Sequence, residues 1–84
     1  MIMTNREPLG KRVWRRLMNE HWYSRDSISI DLAEQYANDG LEYAKRKGFP
    51  RAMWASAVAN KLADKLGVEY LDAYQATKKE LNNE

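Results

Sequence analysis

A chain of 84 residues with no cysteine, 44% hydrophobic residues and a formal charge of +2 has the size of a single domain. Disulfides and thiolate metal sites are excluded, no apolar run reaches the roughly 20 residues that cross a bilayer, and the net charge alone does not imply nucleic acid. A chain this short buries only about three-fifths of its unfolded surface, so oligomerisation or a bound partner is the available source of extra stability.

Residues 1–7 and 82–84 are expected to be disordered ends of a single helical domain spanning 1–84. Pro8 suits the first position of a helix, where its missing N–H costs nothing. From Leu9 to about Tyr23, Val13, Trp14, Leu17, Met18, His21 and Trp22 recur at helical spacing. Lys11, Arg12, Arg15, Arg16 and Asn19 take the opposite face, and Trp22 and Tyr23 are expected at its two borders. The result is an amphipathic helix with a cationic outer side.

Ser29 reads as the N-cap of a second helix, with Asp31 near the positive end of its dipole and Ile28 and Ala33 as a hydrophobic staple. Ile30, Ala33, Ala37, Leu41 and Ala44 keep one phase across Gly40, which predicts a continuous helix to about Lys47. Gly48 is its cap, and Lys45, Arg46 and Lys47 complement its negative end. Gly48-Phe49-Pro50 stops one helix and starts the next. A third helix, Arg51 to Leu66, carries Trp54, Val58, Leu62 and Leu66 on one ridge, beside Ala55, Ala59 and Ala63. Ala52, Met53 and Ala57 make its first turn apolar nearly all round, which predicts enclosure on more than one side. Gly67 ends it, and Tyr70, Ala73, Tyr74, Thr77 and Leu81 define a fourth helix over 68–81. No segment alternates with period two, so the fold class is all-α: a compact bundle of about four helices around an alanine-rich third.

The charges are blocked. Residues 1–25 hold six Arg or Lys against two Glu, and residues 26–44 hold five carboxylates and no Arg or Lys. Lys45, Arg46, Lys47 and Arg51 then form a basic cluster. Such blocks can pair within the fold, Arg15 or Arg16 against Glu34 or Asp31, or meet a partner of matching pattern.

Catalysis finds little support. His21 is the only histidine, there is no thiol nucleophile, and the four glycines form no phosphate loop. A packed or border role is expected for His21, and no cofactor or metal is expected.

Binding is the better reading. Lys11, Arg12, Arg15, Arg16, Asn19, Trp22 and Tyr23 are the candidate partner-binding residues, because Arg and aromatic side chains dominate interface energetics. A protein partner is favoured, with a homo-oligomer as a further arrangement. The setting expected is cytoplasmic, and the composition is compatible with a regulator or inhibitor encoded by a phage or mobile element. The alternative is DNA or RNA binding through the basic face of the first helix, Lys11, Arg12, Arg15 and Arg16 with Trp22 and Tyr23 as a stacking surface, and through the cluster Lys45, Arg46, Lys47 and Arg51. Leu62-Ala63-Asp64-Lys65-Leu66-Gly67-Val68 resembles the first helix and turn of helix-turn-helix DNA-binding proteins, which implies a recognition helix over the residues up to 81. The chain departs from that pattern at Glu69 and Asp72, which would face phosphates, and at Ala73, where a larger aliphatic residue is usual.

Overall fold

A computed structural model describes residues 7–83, and the expectation of disorder at 1–6 and at residue 84 lies outside them. Four helices follow in order: α1 (Leu9–Glu20), α2 (Ile30–Arg46), α3 (Trp54–Leu66) and α4 (Tyr70–Asn82), with a 3-10 turn, Arg51–Met53, leading into α3. There is no strand among the described residues, and the all-α bundle expected from the periodicity is the fold. Each helix packs on two others in a closed ring: α1 on α2, α2 on α3, α3 on α4, and α4 back on α1.

The core is where the apolar stripes meet. Val13, Leu17, Ala37, Val58, Ala59, Leu62, Ala73 and Ala76 are almost wholly excluded from solvent. Small residues dominate the contact surfaces of α2, α3 and α4, so the backbones run close together. Two glycines take this to the limit. A Cβ on Gly10 would lie 2.3 Å from the Glu34 Cα, and one on Gly40 would lie 2.9 Å from the Val58 Cα. Gly40 therefore marks the α2–α3 crossing and does not interrupt the helix.

Local signals account for both ends of α2 and the end of α3. The Ser29 hydroxyl accepts the Leu32 N–H at 3.3 Å, the expected cap of α2. Gly48 has φ of 76°, and the Phe49 N–H donates to the Ala44 carbonyl at 2.9 Å, closing α2 with Phe49 edge-on to Tyr43. Gly67, at φ 71°, closes α3.

Four boundaries differ from expectation. Pro8 stands one residue earlier than expected, as the cap of α1, its carbonyl accepting the Lys11 and Arg12 N–H groups. Helix α1 ends at Glu20, so Trp22 and Tyr23 do not border a helical face; the Tyr23 N–H instead reaches back to the Leu17 carbonyl. Arg51–Met53 is a 3-10 turn whose Ala52 and Met53 are exposed, so the start of the third helix is not enclosed. Helix α4 begins at Tyr70, after the buried Val68, and carries Asn82 in its last turn.

Candidate functional site

The cationic side of α1 is already occupied by the chain's own carboxylates. Because Gly10 lays α1 against the backbone of α2 at Ala33 and Glu34, Arg12 and Arg16 turn toward α4. Arg16 Nε donates to Glu80 Oε2 at 2.8 Å and its Nη1 to Glu20 Oε2 at 2.6 Å. Arg12 Nη1 donates to Glu80 Oε1 at 3.4 Å and its Nε to the Glu7 carbonyl at 3.0 Å. Lys79 reaches Glu20 at 3.1 Å, and this bond, with Arg16 adding to it, holds the Glu20 carboxyl below the usual carboxylate range. Glu80, in turn, raises Arg16 above the ordinary guanidinium value. Arg15 forks onto Glu7, one of the two contacts being Nη2 to Oε2 at 2.7 Å.

The intramolecular pairing foreseen with Glu34 or Asp31 of α2 therefore takes a different form. The acids come from α4 and from either end of α1. What α1 still turns outward is the row Lys11, Arg15 and Asn19, one residue per turn, leading to the turn at its end.

That turn holds the most unusual residue of the molecule. Trp22 has φ of 64° and is 86% exposed. The left-handed region costs a residue with a Cβ about 1–2 kcal/mol, and helices that end in it usually place glycine there. The residues on either side are pinned. The Leu17 carbonyl accepts both the His21 and the Tyr23 N–H. The Tyr23 hydroxyl donates to Asp72 Oδ2 at 2.8 Å and accepts the Glu69 N–H at 3.1 Å, and His21 Nδ1 lies 3.2 Å from the other Asp72 oxygen. Burial pushes the Tyr23 phenol upward, so it stays a neutral donor. One carboxylate of α4 thus clamps both neighbours of Trp22 while the indole stands in solvent. Tyr23, expected as a partner-binding anchor, is half-buried and serves the fold. Sequence reasoning missed Asp72 and Glu80 because they lie roughly 50 and 65 residues from the groups they hold, with no local signal.

The second predicted cluster lies where α2 passes into α3. Lys45 sits over the Trp54 ring at 5.3 Å from its centroid, Arg51 over the same ring at 5.0 Å, and Lys47 over Tyr43 at 5.8 Å. Arg51 also donates to the Leu81 carbonyl at 3.1 Å. Lys45, Arg46 and Lys47 make no ion pair among the described residues. Between α2 and α3, next to this cluster, runs an open groove of about 830 Å³, with Tyr43, Phe49, Met53 and Ala57 along it.

Among the described residues His21 Nε2 is buried without a hydrogen-bond partner, and its Nδ1 lies against the Asp72 carboxylate. Among the described residues no three His, Asp or Glu side chains come together to hold a metal ion. No described helix is long and apolar enough to cross a membrane. No protein-family model, curated protein or solved structure matches the chain.

Proposed function

We propose that this chain is a non-enzymatic binding protein that docks on a protein partner through the end of α1, with Trp22 as the anchor. One observation carries the reading: a large apolar ring is held 86% exposed on a backbone conformation that disfavours it. Strain of that kind persists only where the surroundings over-determine it, and it concentrates at functional positions. The His21–Asp72–Tyr23 clamp provides that over-determination. A pre-ordered tryptophan loses little conformational freedom on docking and buries a large area, the profile of an interface hot spot. Lys11, Arg15 and Asn19 form the polar rim beside it. Arg12, Arg16 and Tyr23 belong to the scaffold that holds the anchor in place.

The test is Trp22→Gly. Glycine accepts the left-handed turn without strain, so the variant is expected to be more stable than the parent by about 1 kcal/mol. It is also expected to lose the proteins that the parent captures from a lysate of its native host. Unchanged capture by a correctly folded Trp22→Gly protein overturns the reading.

A second reading is nucleic-acid binding at the α2–α3 corner. It is favoured by the absence of ion pairs at Lys45, Arg46 and Lys47 among the described residues and by the interleaving of Lys45, Lys47 and Arg51 with Trp54 and Tyr43. Binding to random duplex that weakens steeply with added salt supports it, and no binding at low salt removes it.

A further inference from the structure

Ion pairs are distributed unevenly over this molecule. Arg12, Arg16, Glu20, Lys79 and Glu80 form one connected network between α1 and α4. On α2 the reverse holds. Asp31, Glu34, Asp39, Glu42, Lys45 and Arg46 have no ion pair among the described residues. These open charges are also sorted along the axis, carboxylates first and cations last.

A helix acidic at its start and basic at its end complements a copy of itself running the opposite way. A two-fold axis produces that arrangement. Asp39 and Arg46 are two turns apart on the outward side of α2, both lining the groove beside α3. An axis passing between Glu42 and Tyr43 sets Asp39 of each copy opposite Arg46 of the other, so two equivalent ion pairs form at once. Tyr43, 45% exposed, then lies next to the axis, and Met53, 47% exposed, supplies further apolar surface from the groove. A parallel arrangement would stack like charges.

We infer that the α2–α3 groove is the interface of an isologous homodimer, with antiparallel α2 helices joined by reciprocal Asp39–Arg46 pairs. A standard interface covers about 800 Å² on each partner. This chain exposes 5170 Å² in all, so pairing would remove a substantial share of its open surface. The anchor at Trp22 takes no part in the pairing.

The test is sedimentation velocity across a concentration series, with the parent expected to move from 9.8 kDa to twice that mass in the micromolar range. Arg46→Glu is expected to weaken association by about tenfold or more. Asp39→Arg combined with Arg46→Glu in one chain is expected to restore it, because both reciprocal contacts are reversed together. Trp22→Gly is expected to leave it unchanged. The chain has no cysteine, so single-cysteine variants give a second readout that does not depend on the charge variants. Mild oxidation should link Tyr43→Cys chains into dimers and leave Leu71→Cys chains, altered on the outer side of α4, unlinked. A parent that stays monomeric to about 1 mM, weaker than any specific pairing of use, overturns the inference and leaves the groove to a different partner. A dimer unaffected by Arg46→Glu, or not restored by the double variant, overturns it equally.

Discussion

At Trp22 and Thr77 a side chain sits where its chemistry is disfavoured, with different consequences. Trp22 faces solvent from a left-handed turn, and its neighbours are tied down by three hydrogen bonds or ion contacts to Asp72 and Glu69. Thr77 is wholly buried on α4, and its hydroxyl has no hydrogen-bond partner among the described residues. A buried hydroxyl without a partner keeps its desolvation cost and returns nothing. Thr77→Val keeps the shape and removes that cost, so thermal or urea unfolding should show a gain of about 1 kcal/mol. A loss of stability would show that the hydroxyl is satisfied in solution. The tryptophan was legible in the sequence as a surplus aromatic, but its backbone conformation was not. Nothing in the letters His-Trp-Tyr marks a left-handed turn, which glycine would have marked.

The helices themselves were readable from periodicity, since a stripe repeating at three and four residues must face something apolar. Ser29, Gly48 and Gly67 punctuated them for equally local reasons, a hydroxyl acceptor and two left-handed residues. Gly10 and Gly40 carried no such local message, because each is needed by a neighbouring helix. A methyl group at either position would press on backbone atoms, which cannot rotate aside. Gly40→Ala removes the intrinsic helix penalty of glycine yet forces α2 and α3 apart, and the net effect expected is a loss of about 1–3 kcal/mol in chemical unfolding. A stabilised variant would mean that the crossing is looser than the 2.9 Å approach indicates. The opening turn of the third helix failed expectation for a related reason. Ala52 and Met53 are apolar, but the ring of helices closes below them, at Ala55 and Val58.

Across the whole molecule, the closing contact of the ring is the one between α1 and α4, and Glu80 sits at its centre with a side chain only 12% exposed. It holds two guanidinium groups at once, Arg12 and Arg16. Glu80→Ala strips both of their shared partner in a half-buried setting and should cost about 1–3 kcal/mol. Arg15→Ala removes an exposed, solvent-screened pair and should leave the unfolding midpoint nearly unchanged. Similar midpoints for the two variants would show that the network adds no more than an ordinary surface pair.

By itself the sequence determined the four helices, the caps at Ser29, Gly48 and Gly67, the absence of thiol chemistry and the segregation of charge into blocks. Each of these depends on residues within a few positions of one another, or on composition alone. Only the tertiary structure decided which blocks meet. Helical periodicity fixes the direction of a side chain around its own axis but says nothing about which axis lies opposite, so Arg16 found Glu80 and left the charges of α2 open.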